Sequence, residues 1–152
     1  MAKFKFRLQA VLDLKAKVED LRKNEFGKAM AILEGERQKK IALEQQRTQA
    51  IDDLKANINS GIDPLAIRNF SQFIDILKHR IAAQQIVIQN AEAAVEEARG
   101  RLVEAMRDKK TLDTLKENDH IEFLEEEKKE EQKIIDEIVS YRSGMKLSNH
   151  AN

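Results

Sequence analysis

The residues of this chain best able to do chemistry are three histidines and a set of acidic runs. His79, His120 and His150 lie far apart, and no two are four residues apart, the spacing by which one helical face presents two imidazoles to a zinc ion. There is no HExxH, no GxSxG and no glycine-rich phosphate loop. With no cysteine there is neither thiol chemistry nor a disulfide. The densest acidic run, Glu125-Glu126-Glu127-Lys128-Lys129-Glu130-Glu131, alternates with lysine along one continuous stretch. Acid–base catalysis needs carboxylates that converge in a pocket excluding water, and a run along a single helix does not build one. No catalytic, metal-ligating or cofactor-binding set is expected, and the chain reads as something other than an enzyme.

Composition points to what the elements are. Of 152 residues, 27 are Lys or Arg and 27 are Asp or Glu, so a chain that is 36% charged carries a formal charge of zero. That balance gives no long-range attraction to nucleic acid or anionic lipid. The longest uncharged stretch, Ile81 to Ala91, is too short to cross a bilayer, and Asp13 interrupts any signal-peptide core. A soluble cytoplasmic protein is expected. One Pro, five Gly and 41% hydrophobic residues, alongside so much charge, are the composition of long helices with a narrow apolar stripe.

One break divides the chain. Asn59-Ser60-Gly61 offers a helix end with glycine just past the cap, and Asp63-Pro64 a capped fresh start. The spacing predicts an all-α fold: a single long two-helix antiparallel coiled-coil hairpin over residues 1–142, with helices 3–59 and 64–142 and a turn at 60–63. In the second arm, steps of three and four from Ile67 through Phe70, Ile74, Leu77 and onward to Leu112 are apolar except at Gln84 and Lys109. The first arm is less regular. Phe4, Val11, Leu14, Val18 and Leu21 follow one phase, widened by Leu8 and Leu12, and Phe26, Met30, Leu33, Ile41, Ile51, Leu54 and Ile58 a shifted one, which implies a heptad discontinuity near Glu25. Folding about the turn sets residue i beside a residue near 124 − i. Gly27, Ala29 and Ala31 then lie level with Ala91 to Ala98, and Gly27 near Gly100, where small side chains let helices approach.

The arms are unequal, about 85 and 118 Å at 1.5 Å per residue. Residues beyond roughly 124 therefore lack a partner in the hairpin. Apolar residues return there as Ile134, Ile135, Ile138 and Val139, making this overhang either a docking face or a frayed end. Charge is uneven as well. Residues 1–23 hold seven basic and three acidic groups (7 − 3 = +4), and residues 117–137 hold three basic and ten acidic (3 − 10 = −7). Residues 143–152 are expected to form a disordered tail.

Three segments carry a family resemblance. Phe4-Lys5-Phe6-Arg7-Leu8-Gln9-Ala10-Val11-Leu12 resembles the opening of the FliJ family of flagellar type III export proteins. Ser60-Gly61-Ile62, followed by Asn69-Phe70-Ser71-Gln72-Phe73-Ile74 and Leu77, is similar to that family's turn and second-helix start. Ala105, Lys109-Lys110, Leu112 and Leu115, then Glu131-Gln132-Lys133 and Asp136-Glu137, resemble its C-terminal signature. The three occur in the expected order over nearly the whole chain.

The resemblance implies a central-stalk-like coiled coil that binds the hexameric flagellar export ATPase, promotes its assembly and activity, and links it to the export gate and export chaperones. It implies ATPase contact through Phe4, Leu8, Val11, Glu131, Gln132, Lys133, Asp136 and Glu137. It implies contact with the cytoplasmic part of the gate through Asn69, Phe70, Gln72, Phe73 and Leu77, with Phe73 flanking the seam. The implied location is cytoplasmic, peripheral to the inner membrane at the flagellar base through partners only, with a role in motility. Two rivals stay open: the equivalent stalk of a virulence-type secretion system, and a free-standing hairpin chaperone.

Overall fold

A computed structural model of the protein describes residues 2–61 and 63–150. Two helices, α1 (Gln9–Asn59) and α2 (Pro64–His150), pack against each other as an antiparallel helical hairpin, with no strand among the described residues. The expected turn is built from its own residues. Ser60 and Gly61 donate back to carbonyls of the last turn of α1, and Gly61 takes a left-handed φ of 76°. Asp63 starts α2. Its carboxylate accepts from the Leu65 N–H at 3.3 Å and its carbonyl from Ala66 at 3.0 Å, satisfying donors that open a helix. Ile62, quoted in the second segment above, lies outside the described residues, as do Met1, Ala151 and Asn152.

The hairpin divides into two compact units, Val18–Ala105 and the pairing of Met1–Lys17 with Met106–Asn152. In the first, the α2 seam follows the expected register: Ile67, Phe70, Ile74, Leu77, Ile81, Gln84, Ile88 and their successors through Ala105 are buried or half-buried, with Leu77 fully enclosed. Leu33, Ile88 and Val95 form its buried cluster, covered by Phe26, Ala29 and Ala91. Arg99 lays its guanidinium 5.6 Å from the Phe26 ring centre. The α1 seam differs from expectation. Its enclosed residues follow one unbroken phase, Glu19, Arg22, Phe26, Ala29, Leu33, Glu36, Lys40, Leu43, Arg47, Ala50, Leu54 and Asn57, with Val18, Glu25 and Ile51 half-buried beside it. There is no discontinuity near Glu25. Long charged side chains occupy nearly half of these positions, laying their stems along the seam, with Glu19 itself buried and held by Lys23 at 3.0 Å. Counting only apolar residue types therefore shifts the phase onto Leu21, Met30, Ile41 and Ile58, all of which are exposed.

Polar seam residues answer one another. The Gln84 amide donates to the Glu36 carboxylate at 2.6 Å and to the Glu36 backbone carbonyl at 2.9 Å, and Lys40 donates to the Gln85 carbonyl at 2.7 Å. A one-turn slip would separate these groups, so the layer specifies alignment as buried polar residues do in coiled coils. The Arg37–Glu92 pair at 3.6 Å is about half exposed and adds little. The small-residue expectation holds only in part. Ala29 and Ala91 do pack on the core, but Gly27 and Gly100 are exposed, and a β-carbon built at either meets nothing within 4 Å.

In the second unit, α1 begins at Gln9 rather than at residue 3. Residues 2–6 are not helical, and a turn at Arg7 and Leu8, with the Gln9 N–H donating to the Phe6 carbonyl at 3.1 Å, leads into the helix. Lys3-Phe4-Lys5-Phe6-Arg7 alternates with period two. Burial follows that alternation: Phe4 and Phe6 are enclosed, while Lys3, Lys5 and Arg7 are exposed, a period that a helix does not produce. Phe6 is buried, while Phe4 meets His120 edge-on at 4.8 Å and Phe123 at 5.5 Å. Leu12 is buried beside the α2 seam continuing through Lys109 and Leu112, and Lys15 pairs with Asp108 at 3.5 Å. At its far end α2 continues past the expected stop at 142 to His150, so the expected tail is helical over its described residues. Nothing in Arg142-Ser-Gly-Met-Lys breaks a helix outright, since a lone glycine costs only about 1 kcal/mol.

Two predictions follow from the turn and the polar layer. Gly61→Ala should cost about 1 kcal/mol in denaturant unfolding, while Gly61→Asn recovers part of it; because the added β-carbon meets no atom, an unchanged stability for Ala would contradict the left-handed turn. The Gln84 amide, then Lys39, holds the Glu36 carboxyl below its ordinary value of 4.5. A depressed carboxylate stabilises the fold fully above its unfolded pKa and loses that contribution as pH falls through the folded value. Thermal stability should therefore drop on acidification below about pH 4.5, and Glu36→Gln should flatten that part of the profile; an unaltered profile would disprove the linkage.

Candidate interaction surfaces

Among the described residues no group of three or more His, Asp or Glu could hold a metal. His79 lies on the rim, 4.0 Å from Asp75 and largely exposed, and His120 is an aromatic packing partner of Phe4. No described helix is long and apolar enough to cross a membrane. What the hairpin presents is surface, and the two sets of candidate residues fall in different units.

Residues 69–77 belong to the Val18–Ala105 unit. Asn69, Gln72 and Phe73 are exposed, Phe73 by 47%, and Phe70 is half-buried. Ala66, Asn69, Phe70 and Phe73 line a shallow apolar depression of about 340 Å³. Phe73 sits one position outside the seam, as its register requires, and adds Ile76 and Leu65 as exposed neighbours in sequence. Leu77 corrects the expected contact set. It is fully buried, so it can only position its neighbours, and burying such a side chain stabilises the fold by roughly 1.5–3 kcal/mol.

The other set belongs to the terminal unit. Phe4 and Leu8 are half-buried packing residues, whereas Val11 is 40% exposed. Glu131, Gln132, Lys133, Asp136 and Glu137 are exposed, and Gln132 donates to Asp136 at 3.0 Å one turn on. The structure joins the two groups only at their edge, since Phe4 packs on His120 and Phe123 and not on residues 131–137. Ala2 shares a groove of about 420 Å³ with Phe123, Glu126, Glu130, Glu131 and Ile134. Past Glu127 every described residue of α2 is exposed, including Ile134, Ile135, Ile138, Val139, Tyr141 and Met145. His120 and Phe123 were missed in the sequence as partners of Phe4, although folding about the turn places residue 120 opposite residue 4.

No curated protein matches the chain in sequence. Among solved structures, it is similar to a YscO homolog, CT670, from Chlamydia trachomatis, at 21% identity and a TM-score of 0.65. The match covers 94% of this chain and 97% of that one, and it supports the hairpin fold. A family model, described as the flagellar FliJ protein, matches residues 4–148. From its aromatic start to the exposed end of α2, the chain thus belongs to the flagellar FliJ protein family, a family of type III export components.

Proposed function

We propose that this protein is a non-enzymatic, stalk-like adaptor of the flagellar type III export apparatus. The observation that carries the reading is the bare end of α2. From Lys128 to His150 a continuous helix displays apolar side chains with no partner of their own, next to an N-terminal segment that packs on the same helix. A polar-sheathed helix that regains apolar residues beyond its own hairpin is suited to entering another protein. Family membership supports the hexameric export ATPase as that protein, with Val11, Glu131, Gln132, Lys133, Asp136 and Glu137 in contact and Phe4 and Leu8 holding the N-terminal segment in place.

The surface around Asn69, Gln72 and Phe73 then serves the cytoplasmic part of the export gate, with Phe70 half-buried behind it and Leu77 as its internal support. Export chaperones are further partners on this reading. The protein would act in the cytoplasm, at the inner membrane of the flagellar base through these partners alone. The likeness in fold to a YscO homolog also favours a second reading, the stalk of a virulence-type secretion system. Loss of motility on deletion distinguishes the flagellar role.

Adding the full chain to the isolated export ATPase should raise turnover and favour the hexamer; neither binding nor a change in turnover at micromolar concentrations would refute the stalk role. Phe73→Ala should weaken gate binding about tenfold or more while leaving helicity and ATPase stimulation intact. Leu77→Ala should instead lower stability by about 2–4 kcal/mol, and loss of all three properties in Phe73→Ala would make Phe73 a core residue.

A further inference from the structure

The exposed end of α2 has an internal symmetry that the adaptor reading does not use. Ile134, Ile138, Tyr141 and Met145 are spaced four, three and four residues apart and are 56%, 49%, 69% and 50% exposed. That spacing is a coiled-coil seam with nothing against it. Read backwards it is the same seam. A second copy running antiparallel would set Ile134 against Met145 and Ile138 against Tyr141, then the same two layers again in reverse. Glu131 would meet Ser148 at each border, closing the apolar layers with polar ones.

Charge selects the orientation. Residues 130–137 carry Glu130, Glu131, Asp136 and Glu137 against Lys133 alone (1 − 4 = −3), whereas residues 138–150 carry Arg142 and Lys146 and no acid (+2). An antiparallel partner places each acidic half beside a basic half twice over. A parallel partner places like against like, which is unfavourable along a helix pair. Every residue from 130 to 150 is exposed, so no described residue of its own unit covers the face.

We propose that this end of α2 is a self-association site, on which a second copy of the chain docks antiparallel about a twofold axis between Val139 and Ser140. Four apolar layers over a segment of about 18 Å make a small interface. The dimer is accordingly weak and reversible, on the order of tens of micromolar. The proposal stands whether or not the same end meets an ATPase, because it concerns the free protein.

The test uses the full chain, in which the absence of native cysteine makes a single introduced thiol unique. Sedimentation equilibrium from about 5 to 200 μM should show a monomer–dimer equilibrium. With a nitroxide on Lys128→Cys, dipolar spectroscopy should give a distance near 35 Å, since twice the separation from the axis is about 23 residues at 1.5 Å each. Ile138→Asp should weaken the dimer at least tenfold with helicity by circular dichroism unchanged. Arg142→Glu with Lys146→Glu should weaken it comparably without touching the apolar layers. A chain monomeric at 200 μM, a distance below about 20 Å (a parallel pair), or a dimer indifferent to both variants would overturn the proposal.

Discussion

A pair of helices has one seam, and every other property of this protein depends on that constraint. Each helix can bury only the narrow stripe that meets its neighbour, so most of the chain stays wet and must be polar. This is why more than a third of the residues are charged while the sum is zero. It is also why the seam itself tolerates Glu19, Glu36, Lys40, Arg47, Gln84 and Lys109. Their stems contribute apolar cover, and most of their polar groups find a partner, as Glu36 does in Gln84 and Glu19 in Lys23, while the Arg47 Nε stays buried without one. The alignment of the hairpin then rests on shape along the apolar layers and on the Glu36–Gln84 contact rather than on rim ion pairs.

The same constraint separates what was legible in the sequence from what was not. The α2 register was readable because its seam is almost purely apolar, so every position reached by counting threes and fours from Ile67 to Leu112 is enclosed, with Ala66 and Gln85 half-buried beside it. The turn was readable because Gly61 and Asp63-Pro64 each have a specific backbone task. The α1 register was not. Its true seam mixes Leu33 and Leu54 with long charged residues, while Val11, Leu14 and Leu21 form a competing apolar row that stays exposed. The non-helical start was missed for a related reason: Lys-Phe-Lys-Phe-Arg has the period of a strand, but the segment is short and abuts a strong helix former. Of the candidate contact residues, the structure leaves most accessible, encloses Leu77, and ties Phe4 to His120 and Phe123.

Function follows from where the seam is absent. A hairpin with equal arms would have no bare end; here α2 outlasts its partner, and its last half-buried residue is Glu127. Beyond it lie apolar residues flanked by an acidic stretch on one side and a basic one on the other. That bare end is the surface on which the proposed adaptor role rests, in a chain that belongs to a family of type III export components.

The central claim is that this end, and not the turn, meets the ATPase. Photo-crosslinking from an unnatural residue at position 133 and, separately, at position 73 tests it most directly, in cells carrying the complete export apparatus. The account predicts an adduct with the export ATPase from position 133 and none from position 73. An ATPase adduct from position 73 alone would contradict it.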